Sequence, residues 1–204
     1  MTTIVVPFRG VNGKQRLNSL PDALRVELAL AMLWDVLAAC TTVAPTIVTT
    51  SDRAGSATAL EHRATVVDDP GVGQGGAVAA ALGAAGKRVM IVNADLPCIA
   101  ASDIASLEAA TPSDGIALVA AQDGTTNALS LSSSKLFAPL YGSNSAERFR
   151  LHGELLGVEV VLADVPMLAA DVDMIEDLER LRPCLGNRTR AIRLRSNGPS
   201  PRRR

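Results

Sequence analysis

Aromatic residues are scarce in this 204-residue chain: one Trp, one Tyr and three Phe make up 2% of it. Its core must therefore be aliphatic. Hydrophobic residues reach 48%, mostly Val, Ile, Leu and Ala, which is enough to bury a sizeable interior and excludes global disorder. Apolar residues never run for the roughly 18 positions that a membrane span needs. The opening Met1-Thr2-Thr3-Ile4 has no basic stretch of the kind that starts a secretory signal. A cytoplasmic protein without membrane contact is expected. Cysteine is sparse too: Cys40, Cys98 and Cys184 are far apart and odd in number, which predicts reduced thiols rather than a disulfide or a metal site. The two histidines, His62 and His152, stand away from any recognisable serine or cysteine nucleophile, so a triad hydrolase has no support. No Cys/His spacing suggests zinc.

Acidic residues are missing from one region. Residues 186–204 hold seven arginines and no Asp or Glu, leaving 13 basic and 21 acidic residues in the rest of the chain, a net of −8. An acidic body argues against nucleic-acid binding. The reading is one domain over residues 1–185 followed by a basic tail, 186–204. Its Ser-Asn-Gly-Pro-Ser-Pro run cannot pack and predicts a solvated, disordered extension, with contact to an anionic partner as the alternative.

Hydrophobic periodicity predicts strands near residues 3–7, 45–50, 64–68, 88–93, 115–121, 127–131 and 158–163. Helices are predicted near 21–39, 52–61, 77–85, 102–110, 146–156 and 175–181, with Ser102 and Asp103 capping the fourth. The near-strict alternation predicts one α/β domain, a mostly parallel sheet with helices on both faces. Ligands of such sheets bind beyond the carboxyl ends of the strands.

The unusual residues cluster at those ends. After the first strand, Arg9, Lys14 and Arg16 surround Gly10 and Gly13. Glycines let a backbone approach phosphate oxygens and cations balance their charge, but a solvated basic loop has the same composition, and the spacing is not that of a P-loop. After the third strand, Asp68-Asp69-Pro70-Gly71-Val72-Gly73 reads either as a plain turn or as a nucleotide-cradling loop. Asn93-Ala94-Asp95-Leu96-Pro97 leaves the most apolar strand, and a carboxylate there needs a cation, a cap or hydrogen bonds to stay ionised. Asp171-Val172-Asp173 puts two carboxylates on one side of an extended segment, able to face one Mg²⁺, unless Asp173 caps the helix that follows. Gly124–Leu129 and Tyr141–Ser145 offer hydroxyls and free N–H groups, the second ahead of a helix N-terminus, with a hairpin turn and an ordinary serine cap as the alternatives.

Taken in order, these pieces resemble the guanylyltransferases of coenzyme F-420 biosynthesis, which attach GMP to 2-phospho-L-lactate or to phosphoenolpyruvate. The resemblance spans about residues 4–181 and rests on Val6-Pro7-Phe8-Arg9-Gly10 with Lys14-Gln15-Arg16-Leu17, Asp68–Gly76, Ala94–Pro97, Thr126–Leu129, Gly142–Ser145 and Asp171–Asp173. It implies a Rossmann-like nucleotidyltransferase fold of the nucleotide-diphospho-sugar transferase type, with GTP as donor and Mg²⁺ as cofactor. It assigns Asp95, Asp173 and Asp171 to the metal, and Asp95, Asp173 and Lys14 to catalysis. GTP would be held by Pro7, Arg9, Gly10, Lys14, Arg16, Asp69, Gly71, Gly73 and Gln74. The acceptor, a phosphorylated three-carbon acid, would meet Thr126, Gly142 and Ser145. The Ala-rich, Lys-poor composition is that of actinobacterial members, which resemble the phosphoenolpyruvate-using branch. A homodimer and transfer of the product to a downstream transferase fit the same resemblance. Departures fall in three loops, one of them Asp123–Asn127, where Gly-Thr-Gly-Thr-Asn is usual. Gln74 and Gly75 stand where the family has Leu and Asn, and Ser143, Asn144 and Ala146 replace the Pro, Gly and Phe around the acceptor. A shifted acceptor such as 3-phosphoglycerate, or a silent GTP-binding module, are the competing expectations.

Overall fold

Strand β1 (Thr2–Pro7) sits inside a seven-stranded sheet of order β3-β2-β1-β4-β6-β5-β7 in the computed structural model, which describes residues 1–10, 17 and 20–196. The other strands are β2 (Thr46–Thr49), β3 (Thr65–Val67), β4 (Arg88–Val92), β5 (Gly115–Ala120), β6 (Thr126–Leu131) and β7 (Glu159–Leu162). The ladders β1–β2, β1–β4, β2–β3 and β5–β7 are parallel, while β6 pairs antiparallel with both β4 and β5. β6 alone runs the other way. Its first residue, Thr126, therefore lies at the edge of the sheet where its neighbours end.

Helix α1 (Asp22–Val43), α2 (Arg53–Glu61) and α4 (Ala101–Ala110) cover one face, meeting Ile4, Val6, Val48, Met90, Val92 and Val119. On the other, α3 (Gln74–Leu82) and α5 (Ser145–Leu155) pack Val78, Ala81 and Phe149 against Val5, Ile47, Ile91 and Leu118. Aliphatic side chains dominate both layers, as the aromatic-poor composition requires. A third cluster, with Leu17, Leu28, Met32, Val172, Leu178, Leu181 and Leu185, joins α1 to the segment after β7 and to α6 (Ile175–Arg180).

Four expectations need correction. First, α1 runs to Val43 because Cys40 is fully buried and the Thr41 and Thr42 hydroxyls bond back to the Leu37 and Ala39 carbonyls at 2.7 Å. With 22 residues and a mean hydropathy of 1.7 it is long and apolar enough to cross a membrane, and half of that apolar stretch is buried as a core helix. Second, Cys98 and Cys184 form a disulfide across 86 residues, their Cα atoms brought to 5.1 Å by the third cluster. Only Cys40 remains a thiol, and burial pushes it up to about 12. Third, the basic segment is not a solvated extension from residue 186. Asn187–Ser196 forms helix α7, packed on α1. The Asp35 carboxylate accepts from the N–H groups of Arg188 (3.2 Å) and Thr189 (2.9 Å), anchoring its first turn. The Arg188 guanidinium lies 4.3 Å from the centre of the Trp34 ring. Arg193, 5% exposed, pairs with Glu179 at 2.6 Å. Fourth, α4 starts at Ala101. Asp103 does cap it, accepting from the Ala100 N–H at 2.7 Å, but from inside the first turn and without Ser102.

Candidate active site

The residues at the carboxyl end of β1 turn sharply. Gly10 has a φ of +61°, and a Cβ there would stand 2.8 Å from an Asp52 carboxylate oxygen, so a larger residue would be strained and would have to displace that carboxylate. This turn opens a cleft of about 180 Å³ between β1, α1, α3 and the exit of β4. Pro7, Arg9 and Gly10 line one side, Gln74 and Asp95 the other, with Phe8, Ala29 and Met32 supplying an apolar wall. Of the basic loop, only Arg9 is among the described residues; Lys14 and Arg16 lie outside them.

Asp69, Gly71 and Gly73 precede α3 beside the cleft without lining it. The Asp69 carboxylate accepts from the Gly71 N–H at 2.9 Å, so the turn expected from Asp-Pro-Gly is present. Gln74 follows at the first turn of α3. Gly75, where the family pattern has a larger residue, lies so close to Pro139 that a Cβ would come within 2.9 Å of its backbone. The loop departure is thus a close approach between α3 and the segment leading to Tyr141–Ser145.

Asp95 meets Asp171 and Asp173 through the backbone. The Val172 N–H donates to the Asp95 carbonyl at 3.1 Å. Val172 is fully buried in the third cluster, and the acids on either side of it are half-buried. Burial, then the charges of Asp95 and Asp173, push Asp171 up to about 6. Asp173 is not the cap of α6. Asp177 is, accepting from the Asp173 and Met174 N–H groups at 3.0 and 2.9 Å. Among the described residues, no three His, Cys, Asp or Glu side chains are grouped so that they could hold a metal ion together.

The residues expected for the acceptor form a second cluster. Ser145 Oγ and Thr126 Oγ1 share a hydrogen bond of 3.1 Å, and both residues are buried. The Ser145 N–H reaches the Gly142 carbonyl at 3.1 Å, and the Ala146 N–H the Gly124 carbonyl at 3.2 Å. Ser145 is the first residue of α5, whose N-terminus favours anions. Sequence reasoning missed Asn93, Asn127, Phe8, Ala29 and Met32. The two asparagines stood inside quoted motifs, and their position on β6 and at the exit of β4 was the usable signal.

Comparison with known proteins now decides the family. Residues 2–193 match the model of the guanylyl transferase CofC like family. The chain belongs to this family. It is 36% identical to the phosphoenolpyruvate guanylyltransferase of Streptomyces coelicolor, over 95% of this chain and 96% of that one. It is 32% identical to the 2-phospho-L-lactate guanylyltransferase of Natrialba magadii, covering 86% and 80%. A solved nucleotidyl transferase from Methanothermobacter thermautotrophicus superposes with a TM-score of 0.63 over 97% of this chain and 99% of that one, at 18% identity, a likeness of fold. The fold read from the strand and helix alternation, the resemblance read from the motifs and the assignment to a nucleotidyltransferase all hold, and the match of this guanylyl transferase family reaches into α7.

Proposed function

We propose that the chain transfers GMP from GTP to phosphoenolpyruvate in the cytoplasm, as a step of coenzyme F-420 biosynthesis. A phosphate oxygen of the acceptor bonds to the α-phosphorus of GTP, the bond from that phosphorus to the β-bridging oxygen breaks, and pyrophosphate leaves. The products are enolpyruvyl-diphospho-guanosine and pyrophosphate. The observation that carries this reading is the Val172–Asp95 hydrogen bond, which holds Asp95 against Asp171 and Asp173 at the rim of the nucleotide cleft.

The attacking phosphate is already an anion, so no strong general base is needed. The task is to position two anions that repel. At about 4 Å and an effective dielectric near 20, unit charges interact by ~4 kcal/mol, a cost that the site must offset. Arg9, with Lys14 and Arg16 by family resemblance, balances the triphosphate and the leaving pyrophosphate. Pro7 and Gly10 shape the cleft, and the loop Asp69–Gly73 with Gln74 borders the nucleoside. Thr126, Ser145 and the Gly142 backbone hold the acceptor at the α5 N-terminus.

A divalent cation fits the acid cluster. Asp171 is raised first by burial and then by its two acidic neighbours, and a cation relieves the second of these. Mg²⁺ needs only one or two carboxylates when substrate phosphates complete its shell, so a full protein cage is not required. Asp95 and Asp173 would hold it, with Asp171 beside them rather than as a third joint ligand, and it would supply positive charge to the phosphates.

The named phosphoenolpyruvate enzyme among the relatives supports that acceptor, and the Natrialba relative supports 2-phospho-L-lactate as the second reading. The test is pyrophosphate release from GTP and Mg²⁺ with phosphoenolpyruvate, 2-phospholactate or 3-phosphoglycerate in turn. Phosphoenolpyruvate should give the highest kcat/KM. Faster release with another acid reassigns the acceptor, and release with none turns the chain into a GTP-binding module. The product is consumed by a reaction that transfers its phosphorylated three-carbon half to another acceptor.

A further inference from the structure

Three side-chain amides join the nucleotide cleft to the acid cluster. Gln74 lines the cleft from the first turn of α3, Asn93 follows β4, and Asn127, 1% exposed, belongs to β6. Asn93 lies 3.2 Å from the backbone carbonyl of Thr126. A carbonyl only accepts, so the Asn93 atom facing it is Nδ2. Its Oδ1 then faces Gln74, which donates from Nε2 at 2.7 Å. The same Nδ2 reaches Asn127 Oδ1 at 3.4 Å. The Asn127 amide is left with Nδ2, which lies near enough to Asp171 to favour its charged form yet makes no hydrogen bond of ordinary geometry. Such bonds often tighten only when the substrate is bound. Flipping the Asn93 or Gln74 amide would set like atoms against each other, so one backbone carbonyl fixes the direction of the row.

We propose that this row is a positioning device of the nucleotide site with Asn93 at its centre, holding Gln74 so that its Oε1 is offered to the base as a hydrogen-bond acceptor. The chemistry it takes is the N1–H and 2-amino edge of guanine. An acceptor oxygen does not suit phosphate, and adenine carries a bare N1 on the corresponding edge. The inference rests on the guanylyl transfer proposed above and names what selects its base. Asn93 is a positioning residue: it acts through Gln74. Gln74 stands where the family pattern differs, so the end of the row that faces the cleft is this chain's own.

The experiment measures kcat/KM for GTP and for ATP, by pyrophosphate release with phosphoenolpyruvate, in the wild type, Asn93→Ala, Gln74→Met and the double variant. The wild type should prefer GTP. Each single variant should lower the GTP-to-ATP ratio about five- to tenfold, the size of one lost hydrogen bond, and the double variant should fall no further than the worse single one. Gln74→Met changes a half-buried position and keeps the test in hand if Asn93→Ala does not fold. Equal losses for both nucleotides, leaving the ratio unchanged, would reduce the row to packing and overturn the proposal. Multiplicative losses in the double variant would make the two residues independent and also overturn it. A wild type that uses ATP as well as GTP, or neither, removes the guanylyl reading itself and the row's role with it.

Discussion

The two halves of the sheet build their share of the site in opposite ways. In β3-β2-β1-β4 every strand runs in one direction, so loops at the carboxyl ends form the cleft proposed for the nucleotide: the Gly10 turn and the exit at Asn93–Asp95 line it, and the Asp69–Gly73 turn stands beside it. In the other half β6 is reversed, and the side proposed for the acceptor is made by the start of a strand and the start of a helix, Thr126 bonded to Ser145. One side relies on backbone and on cations carried by loops. The other relies on hydroxyls fixed in buried positions and on a helix dipole. Asp95 stands on the seam, at the end of β4, which pairs with both β1 and β6. The difference teaches that a single rim can be assembled from strand ends and strand starts, provided that one strand reverses.

The largest expected effect comes from breaking the seam. Asp95→Ala should lower kcat for pyrophosphate release by at least about a thousandfold, the scale at which charge-stabilising groups act, while the far-ultraviolet circular dichroism stays that of the wild type. Loss of activity together with loss of the fold would remove Asp95 from the chemistry. Next come changes that act on one half alone. Thr126→Val keeps the shape but leaves the Ser145 hydroxyl without its partner. It should raise KM for the acceptor about tenfold and leave KM for GTP within about twofold. Arg9→Ala should do the reverse. Steady-state kinetics with each substrate varied in turn would show the split, and equal effects on both KM values would mean that the halves are not separate.

A smaller effect concerns the acid cluster. Asp171 is raised to about 6 by burial and by its acidic neighbours. A carboxylate raised on folding favours the native state below its unfolded value, and that contribution is lost as pH rises through the folded value. Metal-free Asp171→Asn should therefore melt about 2–4 °C above the wild type at pH 7.5, and no higher than it at about pH 3, where Asp171 is protonated in the folded and unfolded chain alike. Thermal unfolding at the two pH values checks this; a gain that is the same at both would contradict the origin assigned to the shift.

Much of the fold was legible in the sequence because alternation of apolar runs reports which segments are strands and which helices. It does not report direction, so the reversal of β6, on which the acceptor side depends, had to come from the structure. The basic C-terminal segment was misread for a related reason: composition treats arginine as solvated, yet Arg193 is buried on Glu179 and the Arg188 N–H is tied to Asp35, partners 14 and 153 residues away. The Cys98–Cys184 bond spans 86 residues and left no local trace. Of the site, Asp95 was visible as a carboxylate at a strand exit, Asp171 with Asp173 as a pair on one side of an extended segment, and the turn at Asp69–Gly71 as turn chemistry. Thr126 and Ser145 were visible as hydroxyls in two loops, but the acceptor role that joins them came only from family resemblance, because hydroxyls 19 residues apart carry no spacing signal until β6 and α5 bring them to 3.1 Å. Asn93 stood within a recognisable motif, but the role proposed for it depends on the Thr126 carbonyl, which no sequence pattern displays.

The central claim is that the α-phosphate of GTP moves to the acceptor at the seam marked by Asp95. The most direct measurement follows GTP labelled on its α-phosphate, with Mg²⁺ and phosphoenolpyruvate, in the wild type and in Asp95→Ala. The account predicts label in the guanylylated acid, one unlabelled pyrophosphate for each label transferred, and neither product from Asp95→Ala. Label that stays in GDP while inorganic phosphate is released, or transfer that continues unchanged in Asp95→Ala, would contradict it.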